Sequence, residues 1–176
     1  MSCSALARQK RADVGRRGTR AQSLLFGSTA SLALLALAPQ AGAVIVPQQG
    51  MAGVKLGMSK GEVRAKLGKP RAVNSGNNDF GHYVSYRYRG QLTVMFQSGP
   101  TVTSVKTSGH GERTKEGVGA GSREQTVRDK FPQAKCSTLV NSRSCYIGEL
   151  KAGKRVTDFS IKNGKVRWVT VGFVIE

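Results

Sequence analysis

Acidic residues, aromatics, histidines and long apolar runs are all scarce in this chain of 176 residues. Against 28 Lys and Arg stand 10 Asp and Glu, for a formal net charge of +18, and there are 2 His, 3 Cys and 1 Trp within an aromatic content of 6%. Acid–base chemistry needs groups that exchange protons near neutral pH, held within hydrogen-bond reach of one another, and the supply is thin. His82 and His110 read as surface imidazoles. Gly53/Gly57 and Gly117/Gly119/Gly121 lack the Gly-Lys-Ser/Thr that completes a phosphate loop. The chain is therefore read as non-enzymatic, with no catalytic residue, no metal site and no cofactor. Its length allows one or two small domains, and the apolar alternation beyond residue 80 argues for a folded core despite the charge.

The one compact apolar stretch, Leu24 to Ala38, follows six bases (Arg8, Lys10, Arg11, Arg16, Arg17 and Arg20) and a single acid, Asp13. Interrupted by Gly27, Ser28, Thr29 and Ser31, it falls short of the ~20 predominantly apolar residues that span a bilayer. Together with the small-x-small run Ala41-Gly42-Ala43 it has the layout of an export signal over residues 1–43, cleaved to leave Val44 first, and implies a secreted or cell-envelope protein. An uncleaved anchor and an organellar transit peptide are the alternatives. Removing the leader lowers the charge only to +13, so the basic bias lies in the folded part. Export leaves Cys136 and Cys145, which in an oxidising compartment pair as a disulfide more readily than they form a redox or metal site. Closing that loop stabilises the fold by roughly 2.7 kcal/mol in the chain-entropy treatment.

Sliding the chain against itself by 64 positions aligns Gly53-Val54-Lys55-Leu56-Gly57 with Gly117-Val118-Gly119-Ala120-Gly121, and Val63-Arg64-Ala65-Lys66-Leu67 with Val127-Arg128-Asp129-Lys130-Phe131. Repetition at this spacing predicts a duplicated unit. Ser59 with Glu62, and Ser122 with Gln125, have the capping-box pattern of a short helix. Val63 and Leu67, like Val127 and Phe131, then share one helical face. Gly68, Pro70 and Pro132 end the helices. Alternation of period two follows each: Val84, Tyr86 and Tyr88, then Leu92, Val94 and Phe96; later Thr157, Phe159 and Ile161, with Asn163-Gly164 as a hairpin turn. The last strand is expected to set Arg167, Val169, Val171, Phe173 and Ile175 on one side and Val166, Trp168 and Thr170 on the other. The fold class expected is α+β: two tandem units, each a short helix region packed on an antiparallel meander, over residues 44–107 and 117–176. Residues 108–116 form a flexible Gly-rich connector.

The run Leu56-Gly57-Met58-Ser59-Lys60-Gly61-Glu62-Val63-Arg64-Ala65-Lys66-Leu67-Gly68-Lys69-Pro70, with Leu92-Thr93-Val94-Met95-Phe96-Gln97-Ser98-Gly99 after it, resembles the module of the small lipoprotein of the bacterial barrel-assembly machinery. Doubled beside a Cys pair, it is also similar to the β-lactamase inhibitory proteins. Those resemblances imply a secreted protein-binding module, inhibitor-like or related to envelope assembly, with an extracellular or envelope protein as partner. Tyr83, Arg87, Arg89 and Trp168 fall opposite the apolar strand faces, where they either fill the seam between the repeats or form the binding surface. The alternative is a basic envelope-associated protein held by anionic cell-wall or membrane polymers. Export disfavours nucleic acid.

Overall fold

The computed structural model describes residues 44–139 and 141–175; the expected export signal, residues 1–43, lies outside them. Three short strands open the described chain: β1 (Val44–Val46), β2 (Gly50–Met51) and β3 (Val54–Lys55). Helix α1 (Lys60–Leu67) leads into β4 (Ala72–Asn78), β5 (Gly81–Arg87), β6 (Leu92–Gln97) and β7 (Ser104–Thr107). After β8 (Arg113–Thr114) comes α2 (Glu124–Lys130), then β9 (Lys135–Leu139), β10 (Ser142–Gly148), β11 (Arg155–Lys162) and β12 (Lys165–Phe173). The strands form one small sheet in the order β3-β2-β1-β8 and one large sheet in the order β4-β5-β6-β7-β12-β11-β10-β9.

This arrangement corrects the α+β expectation of two tandem helix-plus-meander units. Strand accounts for 50% of the described residues and helix for 14%, so the fold is mostly β. Each helix is about two turns long, too little to form a layer of its own. The strands expected to belong to separate units share one sheet through the β7–β12 ladder, from Val169 opposite Thr107 to Gly172 opposite Ser104. β1 runs parallel to β8, which lies inside the segment expected as a flexible connector. In that segment Glu112 is buried and its carboxylate accepts from the Thr107 hydroxyl at 2.8 Å.

One face of the large sheet carries the core. Val94, Val105 and Val171 follow one another across β6, β7 and β12 by register, with Val169 beside Phe159. Val63 of α1 and Val127 of α2 are fully buried against this layer. Arg64 of α1 donates to the Tyr86 hydroxyl at 2.8 Å, and the Phe131 ring at the end of α2 stacks on Phe159 at 5.8 Å. The small sheet closes the layer with Ile45, Met51 and Val54.

The two helix starts differ. At Ser59 both halves of the capping box form: the Glu62 N–H donates to the Ser59 hydroxyl at 3.3 Å, and the Glu62 carboxylate accepts from the Ser59 N–H at 2.7 Å. Those bonds hold the Glu62 carboxyl below its usual range. The corresponding box at Ser122 and Gln125 does not form. The N-cap of α2 is Arg123, without a side-chain cap. The Ser122 hydroxyl instead accepts from the Gly119 N–H and Arg113, while Gln125 donates to Asp129.

Candidate functional site

Alternation and register place the open face of the large sheet. A single row crosses it from Arg87 through Thr93, Lys106, Thr170 and Asp158 to Tyr146. Trp168 stands on this face, two residues from Thr170. A bulge between Ser160 and Ile161 makes Arg167 the extra residue of β12, since Ser160 pairs with Trp168 and Ile161 with Val166. The expected side assignment of that strand is corrected accordingly: Val166 is buried with the core, and Arg167 is the residue that departs from alternation. The Arg167 guanidinium lies 4.7 Å from the Trp168 ring centroid and the Lys106 ammonium 5.3 Å from it. Both are cation–π distances, and they leave the indole half-exposed between two charges.

Tyr83 occupies the same face at the far end of β5. Its ring lies over Gly76, where an added Cβ would meet the phenol at 3.0 Å. Tyr83 and Trp168 fall on opposite sides of the Arg87–Thr170 row, so they are separated by roughly 20 Å along the strands and about 14 Å across them. The structure does not bring the two aromatics together. It does bring Arg87 and Arg89 together with Lys106. Arg87 is exposed at the end of β5, and Arg89 opens a single 3-10 turn, Arg89–Gln91.

A groove of about 530 Å³ is lined by Arg71, Arg87, Arg89 and Lys106 with the polar Gln91 and Thr93, and no carboxylate contributes to it. It runs on, through Arg71, Tyr88, Arg89 and Leu92, into a cavity of about 760 Å³ lined by Val44, Val46, Leu67 and Leu92 together with Lys66, Lys69 and one carboxylate, Glu112. The Tyr88 hydroxyl is buried there without a hydrogen-bond partner among the described residues, and burial pushes its pKa up. Sequence reasoning singled out Arg87 and Arg89. It missed Arg71 and Lys106, which only strand pairing makes their neighbours.

Asp158 is an acid on the open face. Burial raises its pKa above the usual carboxylate range, opposed by a hydrogen bond from Ser144. Ion pairs among the described residues belong instead to Glu124, which meets Arg143 at 2.6 Å and Arg128 at 2.9 Å. The Arg143 bonds hold the Glu124 carboxyl below its ordinary value against a raising contribution from burial. Cys136 and Cys145 are directly opposed on β9 and β10 and form the expected disulfide. Glu124 lies near both sulfurs, but oxidised sulfurs are not thiolate ligands, so the cluster is not a metal centre. His82 and His110 are both exposed.

Residues 43–106, a little over a third of the chain, match the outer membrane protein assembly factor BamE domain. This segment, which holds β1 to β6 and α1, is similar to that domain. No curated protein matches the chain. Among solved structures, a DUF4309 family protein of Bacillus subtilis is similar at 18% identity and a TM-score of 0.47, over 75% of this chain and 88% of that one. An extracellular protein containing an SCP domain from Bacillus anthracis is similar at 10% identity and 0.47, over 67% and 44%. A cysteine-rich secretory protein of Staphylococcus aureus is similar at 13% identity and 0.45, over 72% and 47%. The chain spans less than half the length of the last two.

Proposed function

We propose that the protein is a non-enzymatic binding module of the cell envelope that captures an envelope protein through an acidic contact surface. The observation that carries this reading is the carboxylate-free groove of Arg87, Arg89 and Lys106 beside a half-exposed Trp168. Trp and Arg supply large contact area with a polar or charged handle and dominate binding hot spots. Cations that outnumber the nearby acids, Glu112 and Asp158, attract an acidic partner and raise its rate of encounter. The match of residues 43–106 to an outer-membrane assembly domain supports an envelope partner. Tyr83, at the other end of the face, extends the contact.

Crosslinking of the full chain in native envelopes, followed by mass spectrometry, tests the proposal. Saturable, stoichiometric capture of one protein is expected, lost on Trp168→Ala or Arg87→Glu. The same cations favour a second reading, retention on anionic wall or lipid polymer. Retention that disappears with salt and ignores Trp168→Ala would replace the first reading with the second.

A further inference from the structure

β4 is an outer strand of the large sheet, hydrogen-bonded among the described strands only to β5. Outer strands are usually protected by Lys, Pro, a bulge or an inward charge, because their free N–H and C=O groups template another strand. Ala72–Asn78 carries none of these. Its seven residues AVNSGNN are uncharged, all but Gly76 are exposed, and the register with β5 runs without a break from Ala72 opposite Arg87 to Asn78 opposite Gly81. In a strongly basic chain, an outer strand without a single cation offers two copies a margin free of like-charge repulsion along its seven residues. The edge is also ordered in advance. The Arg71 N–H donates to the Arg87 carbonyl at 2.8 Å, Asn78 and Gln97 exchange side-chain bonds at 3.2 and 3.1 Å, and Tyr83 covers Gly76.

We infer that β4 pairs with β4 of a second copy of this chain, antiparallel about a two-fold axis through Ser75. Only the alignment that sets residue 72 opposite residue 78 pairs all seven residues of both strands. In that alignment Arg71, immediately before the strand, falls opposite the second copy's Asp79, immediately after it, at both ends of the interface. Arg71 lies in a bend and Asp79 in the hairpin turn, so each ion pair would form just beyond an end of the ladder, where side chains of opposite charge come within reach of each other. The backbone ladder supplies the attachment, and the two ion pairs select the register. Because opposed residues are both odd or both even, the two sheets continue each other face to face. Val73, 52% exposed at present, is partly covered by the second copy's Asn77. The contact shares Arg71 with the groove, whereas Ser75 and Asp79 lie outside it, so Ser75→Lys and Asp79→Arg are the variants that separate the two.

Sedimentation equilibrium of the purified chain at about 0.15 M salt, where charges beyond roughly 8 Å are screened, tests the inference. The expected result is a mass that rises with concentration to twice that of the monomer. Ser75→Lys, at an exposed position, sets two ammonium groups against each other at the axis and should weaken the dimer at least tenfold. Arg71→Asp and Asp79→Arg should each do the same, and the double variant should restore association to near the original strength. Hydrogen exchange needs no variant: amide protection across residues 72–78 should increase with protein concentration. A monomer at every concentration overturns the inference, as does a dimer that Ser75→Lys leaves intact, or a double exchange that restores nothing while circular dichroism shows a native fold.

Discussion

The two outer strands of the large sheet are secured by different means. β9 is tied to β10 by the Cys136–Cys145 disulfide, and β10 is tied to α2 by Arg143 reaching Glu124 with bonds of 2.6 and 3.0 Å. β4 has no covalent tie and no ion pair among the described residues; the Asn78–Gln97 exchange and a tyrosine lying over a glycine hold it. The difference teaches how each outer strand is held to its own sheet. One margin is locked internally by a covalent bond and an ion pair, while the other keeps an ordered, uncharged backbone edge open to a partner.

The largest expected effects ask whether these margins belong to one cooperative structure. Phe96 and Phe159 are buried on opposite sides of the β7–β12 seam, and truncation of either to Ala should cost about 3–5 kcal/mol. Both variants should unfold in one transition by calorimetry; two separated transitions would show that the margins melt independently. Next in size is the disulfide. Cys136→Ser with Cys145→Ser should lose roughly 2–3 kcal/mol in denaturant titration, and its hydrogen exchange should quicken at β9 with β4 unchanged.

A smaller contrast separates the helix starts. Ser59→Ala should cost about 1 kcal/mol through loss of the cap and raise exchange at the first turn of α1. Ser122→Ala should leave the first turn of α2 unaffected and loosen the Gly119 turn instead.

The smallest effect is one of pH, with opposite signs on two carboxylates. The folded pKa of Glu124 is lowered, so its stabilisation is complete above the unfolded value near about 4.3 and is lost as pH falls through the lower folded value. The difference between the native chain and Glu124→Gln should therefore shrink in acid. The folded pKa of Asp158 is raised, so its charge costs stability above that value and the cost is relieved as pH falls toward the unfolded value near about 3.9. Asp158→Asn should stabilise at neutral pH, by an amount that vanishes in acid.

Much of the local structure was legible in the chain. Ser59 with Glu62, the Val63 face, the alternation of β5, β6 and β11, and the Asn163-Gly164 turn, with φ of 52° and 70°, all follow from chemistry within a few residues. What escaped depends on partners distant in sequence. β4 is built of Ala, Val, Asn, Ser and Gly, poor strand formers apart from Val, and is extended because β5 pairs along its whole length. Strands of two or three residues, such as β1 and β8, leave no periodicity to read. The Arg167 bulge shows itself only in register. The 64-residue repetition suggested separate units, but neither the seam between β7 and β12 nor the β1–β8 contact leaves a mark in a self-alignment. For the same reason nothing in the chain itself sets Arg71 and Lys106 beside Arg87 and Arg89; only strand pairing does.

The order of chain synthesis meets an awkward geometry in β12. This strand follows every other strand of the sheet in sequence, yet it lies in the middle, between β7 and β11. A nascent polypeptide that has emerged only to residue 164 therefore holds two partial sheets, each with a raw inner margin and valines awaiting cover. Such intermediates invite association with the wrong neighbour. A late-arriving keystone of nine residues joins them, and any delay in its delivery lengthens the interval during which the molecule is vulnerable.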